Sequence, residues 1–350
     1  MPRPGHHQKG AQSTLLAQGS AHSAQADTLG WSPRMGHAGS VTLRAQAHRV
    51  PVPAKRSAVN AEQYERVRTG RGFIAALDQS GGSTPKALAA YGVTPEQYAT
   101  PDEMFDLVHA FRARIATAPA FDTRILGAIL FEDTMRREIE NTPAAQYLWD
   151  TKHIVPFVKI DKGLADLADD VQLLAPMPSL PTLLAEAASF GVFGTKARSV
   201  IHEANPAGIA AVVEQQFAVG EQVLEAGLVP IIEPEVSIES GSKGKAEDLL
   251  LEALSSALDN VSDPVMLKLT LPEAANHYRV LVDHPKVVRV VALSGGYSLI
   301  ESVQRLEANN GVIASFSRAF TDGLLVSQSD ADFNSHLDRS IRLISDASNS

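Results

Sequence analysis

The sequence predicts a closed (β/α)8 TIM barrel, an α/β fold, followed by a C-terminal helix. Eight short apolar runs recur from about residue 61 onward, most of them continuous rather than alternating, as parallel strands covered on both faces should be. Amphipathic segments of helical period separate them. No Gly-rich dinucleotide fingerprint follows the first run, which weakens the alternative of a doubly wound open sheet. With 350 residues, 44% of them hydrophobic, the chain can bury a sizeable core.

In chain order, "FIAALD" (73–78) is the first candidate strand. "PDEMFDLVHAFRARIA" (101–116) reads as a helix, with its acids at the front where the helix dipole favours them. "ILGAILFE" (125–132), "VPFVKID" (155–161) and "VFGTKAR" (192–198) are strands two to four. In "PAGIAAVVEQQFAVGEQVLEAG", Ile209, Val213, Phe217 and Leu224 recur at multiples of three to four residues. Pro206 suits the start of that helix and Gly227 its C-terminal cap. "LVPIIEPEV" (228–236), "VMLKLT" (265–270), "VVRVVALS" (287–294) and "VIASFSRAF" (312–320) complete the eight, and a last helix is expected near 328–347.

The first sixty residues are a different polymer, rich in Ala, Ser, Arg, His, Gly and Pro, with no clear period. They carry seven Lys/Arg against the single acid Asp27, a net of +6, so the other 290 carry −15 of the total −9. Low acidity with scattered Arg and Ser predicts that residues 1–57 are a disordered extension serving as an organelle transit peptide, ahead of a single barrel domain at 58–350. That reading places the protein in a plastid, the chloroplast stroma. A plain tail on a cytoplasmic protein is the alternative.

Composition also excludes. With no cysteine, thiolate catalysis, disulfides and iron–sulfur clusters are ruled out. The runs are too short and too often broken by charge to span a membrane, and an acidic body argues against a nucleic-acid partner. After residue 60, His109, His153, His202, His277, His284 and His336 form no ligand-type pair, so no metal is expected, and nothing in the sequence marks a flavin or nicotinamide, so no other cofactor is expected.

Chemistry in a barrel of this kind sits at the C-terminal ends of the strands. Asp78 closes the first run, Lys159 and Asp161 the third, Lys196 and Arg198 the fourth, and Glu233 and Glu235 the fifth. Lys268 lies in the sixth, Ser294 closes the seventh and Arg318 follows the eighth. Any one of these could simply begin a solvated loop, but bases and acids alternating around one rim are harder to explain that way. Five cations on an acidic body predict an anionic ligand. Ser294 with Gly295 and Gly296, completed by Arg318, would suit one phosphate, and Ser80 and Ser83 in "DQSGGSTPK", with Lys159 and Arg198, a second. A doubly phosphorylated small molecule is therefore expected, while a homo-oligomer is left open.

Lys268 sits within Val265, Met266, Leu267, Leu269 and Leu271. A free lysine titrates at about 10.4, so only about one in a thousand is the neutral nucleophile at pH ~7.4. Apolar flanks and a neighbouring cation such as Lys196 both favour the neutral amine. The competing reading is a buried ion pair with Glu233 or Glu235.

At this point the chain resembles the class I fructose-bisphosphate aldolase family, in its microbial branch, over about residues 58–350. The resemblance rests on "GFIAALDQSGGSTPKAL", "GAILFE", "VPFVKIDKGL", "FGTKARS", "GLVPIIEPEV", "VMLKLT", "VVRVVALSGGYS" and "ASFSRA". It implies metal-independent, reversible cleavage of fructose 1,6-bisphosphate to dihydroxyacetone phosphate and glyceraldehyde 3-phosphate. It further implies Lys268 as the Schiff-base lysine, Glu233 as general acid/base with Glu235 beside it, Asp78 on the hydroxyl at the cleaved bond, and Lys196 assisting the imine step with Arg198 next to it. The phosphate by the ketone would lie on Ser294, Gly295 and Arg318, and the far one near Ser80, Ser83 and Lys159. Departures from the animal-type pattern are Gln79 in place of an acid, Ser317 in place of a glycine, and a C-terminus "SDASNS" without tyrosine. A transaldolase-like imine-former, preferring monophosphates, and a catalytically silent barrel are the competing functions.

Overall fold

The computed structural model describes residues 59–350. The expectations for residues 1–57 lie outside this range. Eight parallel strands follow one another around a ring: β1 (Phe73–Leu77), β2 (Ile125–Leu130), β3 (Val155–Lys159), β4 (Gly194–Ile201), β5 (Val229–Val236), β6 (Val265–Thr270), β7 (Val287–Leu293) and β8 (Ile313–Ala314). Each pairs with its sequence neighbour. The ring is nearly closed where the Ala76 amide donates to the Phe316 carbonyl at 3.2 Å. The predicted barrel is therefore the fold.

Its interior explains why charge collects at one end. One cluster of buried apolar side chains fills the barrel, including Ile74, Ala76, Val155, Phe157, Val229, Ile231, Met266, Val291 and Ile313. Counting on by two along β1, β3, β5 and β6 gives Asp78, Lys159, Glu233 and Lys268, which face the same way because strand side chains alternate. Phe157 takes up so much of the axis that a Cβ on Gly127 would meet its ring at 2.8 Å. The bottom is stoppered by the helix Ala61–Thr69, whose Val67 joins the same cluster. Arg289 holds that helix by donating to the Val67 and Gly70 carbonyls at 3.0 and 2.8 Å. A second, larger cluster lies between the strands and the outer helices.

Boundaries differ where loops carry function. The eighth run is a strand only over Ile313–Ala314; Ser317 leaves the extended conformation, and Arg318 opens a short helix, Arg318–Thr321. β4 runs on to Ile201 because Val171–Gln172, in the long connection after β3, pairs antiparallel with its end. The helices expected at 101–116, 206–227 and 328–347 are Pro101–Thr117, Pro206–Glu225 and Asp330–Ser348. Gly227 has the positive φ of a cap, +79°. The last helix seals β8: the Ala314 amide donates to Ser348 Oγ at 3.0 Å.

Candidate active site

The strand ends open into a cleft of about 1040 Å³. Asp78, Ser80, Ser83, Lys159, Lys196, Arg198, Glu233, Glu235, Lys268, Ser294, Gly295, Ser317 and Arg318 all line it. Gly296 is the exception among the expected residues: it lies outside the lining, and its N–H donates to the Ser294 carbonyl at 2.7 Å. Its φ of +137° makes it a turn residue.

Four charged side chains, each about nine-tenths buried or more, meet at the floor. Lys196 Nζ is 2.7 Å from Asp78 Oδ2 and 2.9 Å from Glu233 Oε2. Lys268 Nζ is 3.1 Å from Glu233 Oε1. They come from β6, β5, β4 and the end of β1, so no two neighbours in sequence could have built this group. Burial pushes the Glu233 and Asp78 carboxyls up, but Lys196 and Lys268 outweigh it and hold both below the ordinary carboxylate range. Burial likewise disfavours the Lys196 cation, and Asp78 and Glu233 more than reverse that, raising it well above a free lysine.

A second tier is also paired. Lys159 binds the Asp161 carboxylate, and Arg198 Nε binds Glu235. The Arg198 amide donates to Asp161 Oδ2 at 3.3 Å, which joins the two pairs. The expected excess of positive charge is thus smaller than a count of cations implies: four of the five, Lys159, Lys196, Arg198 and Lys268, face Asp78, Asp161, Glu233 and Glu235. Among the described residues, Arg318 has no ion-pair partner. Ser83 Oγ donates to the Ser80 carbonyl at 2.7 Å and accepts from the Ser80 amide at 2.9 Å, which shapes the first loop. Gln79 Nε2 donates to Ser317 Oγ at 2.8 Å, tying that loop to the one after β8.

Sequence reasoning missed several members. Lys86, Lys162, Phe105, Phe131 and Leu164 line the cleft as well, and so does Gln79, which the sequence marked only as a departure beside Asp78. Arg112 lies buried directly behind Gln79. Its signal was available, because it occupies the apolar stripe of its helix with Val108 and Ile115. Among the described residues, no three His, Asp or Glu stand together so as to hold a metal ion.

A lysine and a glutamate buried together on adjacent strands of a (β/α)8 barrel, at the floor of a polar cleft, fit the imine-forming class of barrel enzymes. A family model described as fructose-bisphosphate aldolase class-I matches residues 60–256. The fructose-bisphosphate aldolase class 1 of Synechocystis is 56% identical over 292 residues, covering 83% of this chain and 97% of that one. That of Porphyromonas gingivalis is 54% identical over 291 residues, covering 83% and 99%. The corresponding Clostridium acetobutylicum protein is 52% identical over 293 residues, with the same coverage. Among solved structures, fructose-bisphosphate aldolase from Plasmodium falciparum shares the fold, with a TM-score of 0.68 at 21% identity over 84% of this chain and 96% of that one. The chain belongs to the class I fructose-bisphosphate aldolase family. The bacterial and cyanobacterial relatives give no support to the plastid expectation.

Proposed function

We propose that this chain is a Schiff-base aldolase that reversibly cleaves fructose 1,6-bisphosphate to dihydroxyacetone phosphate and glyceraldehyde 3-phosphate. The observation that carries the reading is the Glu233 carboxylate held between Lys268 and Lys196, 3.1 and 2.9 Å away, in a chain over half identical to class 1 aldolases along nearly their whole length. In this reading the Lys268 amine, having passed its proton to Glu233, adds to the C2 ketone. Glu233 returns that proton to the carbinolamine oxygen, and water leaves to give the iminium ion. Lys196 keeps the departing oxygen and the carboxylates in register. Asp78 takes the proton of the C4 hydroxyl, and the C3–C4 electron pair moves into the iminium. Glyceraldehyde 3-phosphate leaves and an enamine stays on Lys268. Protonation at C3 and hydrolysis release dihydroxyacetone phosphate.

The sugar bisphosphate lies along the cleft. Ser294, Gly295, Ser317 and Arg318, with Gly296 shaping the turn, bind the phosphate near the ketone; Ser80, Ser83 and Lys159 bind the far one. Arg198 and Glu235 face the chain between them. The partially neutralised second tier supports this, because a phosphate entering beside Lys159 or Arg198 can exchange for a carboxylate already there.

The test is borohydride trapping with dihydroxyacetone phosphate, followed by peptide mapping. A stable adduct is expected on Lys268; an adduct on another lysine, or none, overturns the mechanism.

We keep residues 58–350 as the aldolase domain and 1–57 as a separable extension. A transit-peptide role for that extension is supported by its basic, acid-poor composition alone. The bacterial relatives favour the cytoplasmic alternative. N-terminal sequencing of the mature protein decides: a start near residue 58 supports cleavage and a start at Met1 refutes it. No helix of the described residues is long and apolar enough to cross a membrane.

A further inference from the structure

Arg112 is 2% exposed and among the largest fully buried side chains. A guanidinium taken out of water normally brings a carboxylate with it. Among the described residues, Arg112 has none at ion-pair distance. Instead Nη1 donates to Thr134 Oγ1 at 2.8 Å, and Nη2 donates to the Gln79 carbonyl. Its Nε has no partner, and its Cζ lies 5.7 Å from the centre of the Phe131 ring. Burial pulls its pKa down to about 10, with Asp78 and Asp133 opposing, so it stays charged at neutral pH. A buried cation thus bonds the backbone of the residue that follows Asp78.

We propose that Arg112 is a positioning residue for carbon–carbon cleavage: by holding the Gln79 carbonyl it fixes the strand end that presents Asp78 to Lys196 and the Gln79 amide to Ser317. The 2.7 Å contact from Asp78 and the 2.8 Å bond to Ser317 leave from adjacent residues of one short segment. That segment also receives a weak 3.4 Å bond from Thr84 Oγ1 to the Gln79 carbonyl. Arg112 is therefore its principal anchor from behind. The inference rests on the reading of Asp78 as the group that takes the C4 hydroxyl proton. It separates two steps: Lys268 binds Glu233, whereas Arg112 binds Gln79 and Thr134, so imine formation should survive its loss while cleavage should not.

The experiment uses the full-length chain, wild type against Arg112→Met and Thr134→Val. It measures fructose 1,6-bisphosphate cleavage (kcat and KM) and the amount of dihydroxyacetone phosphate trapped on Lys268 by borohydride. For Arg112→Met we expect kcat to fall on the order of a hundredfold, as for displaced catalytic groups, with KM and trapping near wild type. Thr134→Val frees one arm of the guanidinium and should lower kcat about three- to tenfold, again with trapping intact. If melting shows that Arg112→Met is unfolded, Thr134→Val alone decides. Wild-type kcat in the deciding variant overturns the inference, and so does a parallel loss of trapping and cleavage. A wild-type chain that traps nothing instead overturns the Schiff-base reading, and this inference with it.

Discussion

Glu233 and Lys268 face each other across adjacent strands, Oε1 to Nζ at 3.1 Å, with side chains 3% and 4% exposed. The same carboxylate also holds Lys196, so the two lysines are not equivalent in what their loss exposes. Lys268→Met leaves Glu233 still paired. Stability should change by less than about 1 kcal/mol while activity disappears. Glu233→Gln leaves two buried ammonium groups with Asp78 alone, and should cost about 3 kcal/mol. Urea denaturation of the two variants checks the contrast; equal losses contradict it.

Acid should dissolve the ring from the carboxylate side. Asp78 and Glu233 are held below the ordinary range: burial raises each, and the lysines lower them by more. Groups with depressed folded values stabilise fully above the unfolded value, near 4, and lose that contribution as pH falls through the folded one. Lys196 is raised, so its contribution is complete below the ordinary 10.5 and fades only above it. The urea-midpoint gap between wild type and Asp78→Asn should stay constant from about pH 6 to 9 and shrink below about pH 4. A gap that widens in acid runs against the assignment.

Gly295 and Gly296 form the turn after β7 with φ of +64° and +137°. A Cβ on Gly296 would lie 2.9 Å from Ile238 Cδ1 and 3.8 Å from the Arg318 guanidinium. Gly296→Ala should therefore be strained by about 1–3 kcal/mol and shift the turn that carries Ser294 and Gly295 beside Arg318. The KM for fructose 1,6-bisphosphate should rise about tenfold or more, consistent with the loss of a charge-assisted phosphate contact. Steady-state kinetics with a thermal melt separates the two effects.

Ser317 accepts from Gln79 at 2.8 Å. Ser317→Ala removes this one partly buried bond and should cost about 0.5–1.5 kcal/mol. Because the bond ties the loop after β1 to the loop after β8, KM should rise a few-fold while the trapped Lys268 adduct is unchanged. An unchanged KM would show that the two loops hold their places independently.

Chelation offers a separate check on the imine mechanism. Exhaustive dialysis against EDTA should leave the cleavage rate unaltered, since the proposed electron sink is the iminium on Lys268. Loss of activity that returns with a divalent ion speaks against it.

Much of the site was legible because strand parity is strict. Asp78, Lys159, Glu233 and Lys268 follow inward apolar residues by two, so a reader who finds the strands also finds what points inward. β8 was overestimated for the opposite reason: "VIASFSRAF" is apolar and β-branched at its start, but only two of its residues pair, and the turn at Ser317 comes from contacts with a loop more than two hundred residues away. Arg112 went unread because its partners, Gln79 and Thr134, are distant in sequence and bind through a carbonyl and a hydroxyl, neither of which marks a charge partner.

The sequence alone determined the order and number of strands, the end of the barrel that carries charge, and the residues that could do chemistry there. Periodicity and local propensity set those features, and they act over a few residues. Only the tertiary structure decided who pairs with whom: that Glu233 is shared between Lys196 and Lys268, that Lys159 and Arg198 already hold carboxylates, and that Arg112 backs Asp78. Pairing of that kind depends on distances of about 3 Å between groups from different strands. Barrel closure and register fix such distances, and no local pattern encodes them.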